Sequence, residues 1–330
     1  MRLDQLWTRF ILSLAFGGAA VVGLLVYGDF TGVANSLASF NWRFLPVIFG
    51  LTLFNYALRF LKWEFYLKLT GIRGVPKFDS FLIFFAGLAM TITPARVGEW
   101  IKSYYLRVGY GVPASKSAPI VVAERLSDGY AMILLSVGGL LLFRQGWLLI
   151  LSLSILGVAV AMYFRSRKFA ALTVTLVQRV PVIRRYSGFI AGFYDSAFVL
   201  FSPRALSIAI MIGAVSWLGE GIALYFVFLG LGAENSFELA VQGIFILAVA
   251  NIAGGVLLVP GGLGVSEGSI AGLTQTLVGL GREAAATSAL IIRIGTLWFG
   301  VALGLVALLM LTKRYGPGTP EGAEAQGDMA

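Results

Sequence analysis

The chain of 330 residues has no cysteine and no histidine, and only 12% of it is charged. Without thiols there is neither a disulfide nor thiolate chemistry. Without imidazole there is no Ser-His-Asp triad, no histidine-ligated metal and no histidine proton relay. A soluble domain carries about 25% charged residues. Half that load, beside 58% hydrophobic residues and a mean hydropathy of +0.87, describes a polytopic membrane protein. No Lys-Ser/Thr pair follows the glycines of Pro260-Gly261-Gly262, so a phosphate-binding P-loop is missing and no ATP motif is present. No metal site, no cofactor and no nucleic-acid partner is expected.

What the chain does contain is a series of apolar stretches. A helical span needs about 20 mostly apolar residues. Candidates are Phe10–Tyr27, Phe44–Leu67, Pro119–Phe143, Trp147–Phe164, Ala205–Leu231 and Ala284–Thr312. Arg2 and Arg9 precede the first, but it is longer than a usual signal-peptide core and no cleavage motif follows it directly, so it reads as an uncleaved span. Two further stretches are interrupted. Ser80–Thr93 ends in Pro94 and is followed by Gly98–Val108; Leu239–Val259 ends in Pro260 and is followed by Gly268–Leu280. Each pair reads as a re-entrant hairpin turning at Pro and Gly, which membrane depth tolerates only where protein or a wet cavity covers the backbone. The alternative is one kinked span plus a surface helix.

The net charge of +9 lies mostly in loops, where it reports topology and can also reflect contact with anionic lipid head groups. Lys68, Arg73 and Lys77 follow the second span, and Lys102, Arg107 and Lys116 follow the first hairpin. The segment Arg165–Arg204 carries seven bases against one acid, Asp195, and Lys313 and Arg314 end the last span. The loop Gly232–Glu238 has acids and no base. Six spans plus two non-crossing hairpins put every strongly basic segment on one side, whereas a fully crossing hairpin splits them. The two hairpins then enter from opposite faces, as in an inverted repeat. The expected fold is thus an all-α polytopic membrane protein of about six full spans plus two re-entrant hairpins. A single transmembrane domain covers 1–315, with repeat A about 44–143 and repeat B about 205–312. Span 147–164 and a basic cytoplasmic segment 165–204, containing an amphipathic helix on the inner leaflet, join them. A disordered tail, 316–330, follows. Both termini are expected inside a bacterial or archaeal cytoplasmic membrane.

Charge appears where a membrane tolerates little of it. Pro94-Ala95-Arg96-Val97-Gly98-Glu99 is followed by Gly111 and Glu124-Arg125-Leu126-Ser127-Asp128. Pro260-Gly261-Gly262-Leu263-Gly264-Val265-Ser266-Glu267 is followed by Gly281 and Arg293. The arginine on the next apolar segment comes 31 residues after the first proline and 33 after the second. An ionised group at the bilayer centre costs about 2.5–3.5 kcal/mol on insertion scales, so such residues call for an explanation. One reading is structural: Arg96, Glu99, Glu124, Arg125, Asp128, Glu220, Glu267 and Arg293 pair among themselves. The other is a site. The guanidinium forks of Arg96, Arg125 and Arg293 match a lipid phosphate, and Glu99, Glu124, Asp128 and Glu267 position it or receive a cationic head group. The turns at Pro94, Gly98, Pro260, Gly261, Gly262 and Gly264 supply helix N-termini with open N–H groups. Arg59 and Lys62, on one helical face near the end of the second span, read as snorkelling cations. Trp42, Trp63, Trp100, Tyr104 and Tyr105 read as interfacial belts.

The three blocks around Pro94, Glu124 and Pro260, in this order, resemble the transmembrane region of lysylphosphatidylglycerol synthetases, the flippase-like domain family. The resemblance runs roughly from Arg9 to Thr312. In two-part synthetases this region is taken to flip aminoacylated phosphatidylglycerol between leaflets, while a soluble C-terminal domain makes that lipid. No synthetase half is expected in this chain, so the resemblance implies lipid handling without aminoacyl transfer. The expected partner is an anionic phospholipid or polyprenyl-phosphate lipid, moved between leaflets passively or with ion coupling, and a separately encoded lipid synthetase is a further candidate partner. Alternatives are a polyprenyl-phosphate-dependent glycosyltransferase or lipid-modifying enzyme, using Glu99 or Asp128 as base, and a non-transporting scaffold.

Overall fold

A computed structural model describes the chain except residues 1, 2, 144–146, 181, 183, 258 and 317–330, together with the side chains of 3–14, 94–96, 141–143, 149 and 150. The tail expected at 316–330 therefore lies almost wholly outside the described residues, as do the side chains of Pro94 and Arg96.

Among the described residues the secondary structure is entirely helical. Helix α1 (Leu3–Tyr27) turns sharply into α2 (Phe30–Ser39), where the Asp29 side chain caps the new helix by accepting from the Gly32 N–H at 3.1 Å. The pair Ala15–Tyr27 and Phe30–Ser39 is bent by 93°. The loop expected at 28–43 thus contains a helix. Helix α3 (Leu45–Leu69) is followed by α4 (Lys77–Ala89), short 3-10 stretches over Met90–Ile92 and Pro94–Trp100, α5 (Ile101–Tyr110) and α6 (Ala114–Phe143). Then come α7 (Trp147–Arg165), α8 (Arg167–Arg179), α9 (Ser187–Leu200) and α10 (Pro203–Gly230). The chain closes with α11 (Phe237–Val256), a 3-10 turn at Pro260–Gly262, α12 (Val265–Leu273), α13 (Arg282–Arg293) and α14 (Phe299–Tyr315).

Four helical segments are long and apolar enough to cross a membrane: Trp42–Leu69, Pro203–Gly230, Phe237–Val256 and Arg282–Tyr315; the bent N-terminal pair makes a fifth if it is one span. Phe237–Val256 overlaps the stretch expected to be a re-entrant limb. Its 20 residues, about 30 Å at 1.5 Å per residue, match the hydrocarbon thickness. The limb α4 is shorter, at 13 residues. Helix α6 has 30 residues, but its middle carries Glu124, Arg125 and Asp128.

Two packing relations position the site. Helix α3 lies along α10, where Gly213, Ser216 and Gly219 recur every third residue and let the backbones come close. The Ser216 hydroxyl donates to the Asn55 carbonyl at 3.1 Å. Around this seam α4 packs on α14, and α6 packs on α11. Gly304 of α14 makes the first of these contacts possible, since a β-carbon there would stand 2.4 Å from the Ala89 nitrogen. Two large apolar clusters result. One gathers α3, α4, α5 and α14 around Trp63, Tyr66 and Phe84; the other gathers α10 to α13 with the N-terminal helices around Leu224, Phe228 and Ile292.

The basic segment forms α8 and α9. Along α8, Phe169, Leu172 and Leu176 form an exposed apolar stripe, with Arg167, Lys168 and Arg179 also exposed. Helix α9 packs on α6 and α7.

Candidate functional site

The two Pro/Gly turns meet each other. Pro94 and Pro260 each stand at the start of a 3-10 stretch, where a missing N–H costs nothing. The stretches before and after Thr93 pack on Pro260–Gly262, and a β-carbon on Gly261 would come within 3.3 Å of the Ile92 Cα. Gly261, Gly262 and Gly264 all have positive φ. Four of the N–H groups at these turns are engaged within the chain. Gly98 N–H donates to Thr93 Oγ1 at 2.8 Å, Gly262 N–H to the Val259 carbonyl at 3.0 Å, and Leu263 N–H to the Pro260 carbonyl at 2.9 Å. Gly264 N–H donates to Glu267 Oε2 at 2.6 Å. Glu267 is three residues into the helix and reaches back to its cap, so the chain's own carboxylate fills the anion position at the α12 N-terminus.

Counted from the glutamates rather than the prolines, the two halves share one register. Arg125 follows Glu99 by 26 residues, and Arg293 follows Glu267 by 26. In each half a glycine 12 residues after the glutamate takes the left-handed conformation: Gly111 with φ 64° and Gly279 with φ 76°. The sequence reading paired Gly111 with Gly281; Gly281 has φ −57° and is instead the residue before α13. In each half the glutamate pairs with the arginine. Arg125 Nε lies 3.3 Å from Glu99 Oε2, while Arg293 Nε donates to Glu267 Oε1 at 2.5 Å and its terminal amine to the Gly261 carbonyl at 2.7 Å.

Apart from Glu220, buried on α10, the remaining charges of the site belong to the first half. Asp128 faces three cations: Lys62, by direct hydrogen bond, Arg125 at 3.5 Å and Arg59 at 4.0 Å. Glu124 accepts from Lys102, whose ammonium also lies 4.8 Å from the Trp63 ring centroid. Glu124 and Asp128 share a helical face, as their spacing predicts, yet each has its own cation. Several expectations are corrected here. Arg59 and Lys62 do not snorkel; the Lys62 side chain is 1% exposed and also donates to Ser127 at 3.3 Å. Lys102 is buried rather than a loop charge. Trp63 is a core residue, its indole N–H donating to Ser80 at 3.1 Å, and Tyr105 is buried too. Trp42 and Trp100 are exposed, as an interfacial position requires. Lys102 was legible only in hindsight, as a cation set in the face that α5 turns inward beside Ile101 and Leu106.

Two spaces open beside this network. A cleft of ≈ 380 Å3 lies between α6, α7 and α11. Arg125 and Asp128 stand among lining side chains such as Met132, Ile133, Leu153 and Leu156. The Arg125 side chain is 26% exposed, against 10% for Arg293. A smaller cavity of ≈ 50 Å3 lies between the halves, lined by Tyr56, Arg59, Trp217, Glu220, Arg293 and Thr296 among others. Thr296 sits in a π-helical stretch, Ile294–Trp298, directly after Arg293. Such a widening often marks a functional position, and Tyr56 donates to the Thr296 carbonyl at 2.6 Å. Asn251 of α11 lines both spaces. No group of three or more His, Cys, Asp or Glu side chains fit to hold a metal occurs among the described residues.

The chain as a whole has counterparts among known proteins. Residues 10–304 match the family described as "Lysylphosphatidylglycerol synthase TM region". The chain belongs to that family. Two members of similar length come from Methanothermobacter thermautotrophicus (strain ATCC 29096 / DSM 1053 / JCM 10044 / NBRC 100330 / Delta H), and both are called "UPF0104 membrane protein". One is 25% identical over 303 residues, covering 87% of this chain and 89% of the relative. The other is 24% identical over 338 residues, covering 93% and 95%. The family region thus occurs in chains of about this length, and the Glu99–Arg125 and Glu267–Arg293 pairs both lie inside the matched range.

Proposed function

We propose that this protein binds a phosphate-bearing lipid in the α6–α7–α11 cleft and moves it between leaflets. The cleft carries the reading: its walls are largely apolar, as acyl or prenyl chains require, and the guanidinium of Arg125 stands in it. Arg125 is held by Glu99 and Asp128 in a geometry a lipid phosphate can share, because a guanidinium presents five donors. A phosphate that takes two of them leaves the others for Glu99 and Asp128. Arg293, closed on Glu267 and Gly261, has the weaker claim to a first contact.

The topology in this proposal is an inverted repeat of about 44–143 and about 205–312, with hairpins entering from opposite faces and both termini on the basic side. The pairing of helices supports it. Helix α3 lies on α10, its counterpart; α4 lies on α14 as α11 lies on α6; and the two turns touch. Such contacts arise when two like units face each other across an axis. The lipid is an anionic phospholipid or a polyprenyl phosphate, and a separately encoded synthetase is its natural supplier.

Reconstitution tests the function. Purified protein in liposomes should speed the transbilayer movement of a fluorescent phosphate lipid at least tenfold, and a phosphate lipid should be found by mass spectrometry in the purified sample. A protein that neither retains nor moves such lipids lacks this function.

A further inference from the structure

The small cavity between the halves gathers charged and polar groups from both. Arg59 and Arg293 reach it from opposite halves, each 8% exposed, and Glu220 faces it from α10. The Trp217 indole N–H is buried and has no hydrogen-bond partner among the described residues, and Trp217 lines this cavity. A buried donor left without a partner is costly, and a ligand or water recovers that cost. The Arg59 guanidinium lies 5.4 Å from the Trp217 ring centroid. Thr91, from the stretch before the first turn, and Thr296, from the π-helical stretch, also line it, their hydroxyl hydrogens already given to the Gly87 and Ile292 carbonyls. The cavity is therefore lined by donors from both halves, with one carboxylate opposite them.

Asn251 connects this cavity to the cleft. Among the described residues it is the one polar side chain bordering both spaces, where a lipid head group passing from Arg125 to Arg59 would lose its hydration. Resting on the reading of the cleft as a lipid site, we infer that the cavity is the central station for the head group, reached past Asn251, with Arg59, Arg293 and the Trp217 N–H taking the phosphate. At ≈ 50 Å3 it has room for only a few waters. The structure is thus a closed state of this route, and the head group enters as the touching turns at Ile92 and Gly261 separate.

The chain has no native cysteine, so the route can be blocked after folding. Asn251→Cys and Thr296→Cys are purified, reconstituted and treated with a bulky methanethiosulfonate. Modification is expected to lower transbilayer movement of fluorescent phosphatidylglycerol at least tenfold in both variants and, in Thr296→Cys, which lines the cavity but not the cleft, to leave in place the lipid that co-purifies through the cleft. Prior incubation with that lipid should slow modification. Arg59→Gln and Trp217→Phe, which keeps the ring beneath Arg59, should lower movement without removing co-purified lipid, whereas Arg125→Gln should remove the lipid itself. If the modified cysteine variants and Arg59→Gln move lipid at the wild-type rate, the central station is wrong and the cleft reading stands. If the unmodified wild type neither binds nor moves lipid, the failure belongs to the proposed function.

Discussion

The two halves of this protein carry the same backbone device under different electrostatic loads. Each has a proline-headed turn, a buried glutamate, a left-handed glycine 12 residues on and an arginine 26 residues on. In the first half the glutamate–arginine pair sits inside a larger network with Arg59, Lys62, Lys102, Glu124 and Asp128. In the second half the pair closes on its own turn. The register shows how the second half avoids the extra charges. The residues matching Lys102 and Glu124 are Ile270 and Ile292, both buried, and the residue matching Asp128 is Thr296. The pairing is therefore common to both halves, while the added charge is particular to the half whose Arg125 and Asp128 stand in the cleft. A buried ion pair rarely improves stability over a well-packed apolar pair, so a charge cluster that only one half retains points to use rather than to folding.

The largest expected effect tests that contrast directly. Lys102→Ile alone leaves Glu124 buried without its cation and should cost about 3–5 kcal/mol, read as a fall in the thermal unfolding midpoint. Lys102→Ile with Glu124→Ile transplants the second half's solution and should recover most of that loss. A double variant as unstable as the single one would mean that the halves are not equivalent at these positions. Arg293→Gln belongs in the same range, since Glu267 and the Gly261 carbonyl both lose their donor.

Arg125→Gln should separate from Arg293→Gln. Its partner Asp128 keeps Lys62, and its own side chain is partly exposed, so the expected stability loss is smaller. Lipid retention and movement should nevertheless fall at least tenfold, which corresponds to about 1.4 kcal/mol. Arg125→Lys should restore little of this, because an ammonium lacks the planar fork. Equal loss of stability and activity in both arginine variants would erase the distinction between the halves.

A smaller effect probes what the halves share. Gly111 and Gly279 both cap a helix in the left-handed region, with open space around the missing β-carbon. Gly111→Ala and Gly279→Ala should each cost about 1 kcal/mol of conformational strain, and asparagine should be tolerated better than alanine at both. A large difference between them would break the shared register. The smallest perturbation is a single cysteine in place of Val112 or of Arg282, each within three residues of a capping glycine. Both variants should fold and function normally, but a membrane-impermeant thiol reagent should reach them from opposite faces. Labelling from one face would end the inverted-repeat proposal.

The sequence by itself determined the solvent, the helical class and the two turns. Too little charge and long apolar runs leave a chain nowhere but the bilayer, and proline followed by glycine within such runs interrupts a helix wherever it occurs. It also gave Glu99, Arg125, Glu267 and Arg293, because charge in an apolar run is visible without coordinates. Only the tertiary structure decided which charges meet. Arg59, Lys62 and Lys102 look like interfacial or loop cations in one dimension, because burial depends on what packs over them. Here α10 covers α3, and α5 folds back onto α4 and α6. Asn251 and Trp217 carry no charge and so left no signal in the sequence at all. Their importance comes from lying where two spaces formed by distant helices adjoin, a property that belongs to the packing and not to any segment of the chain.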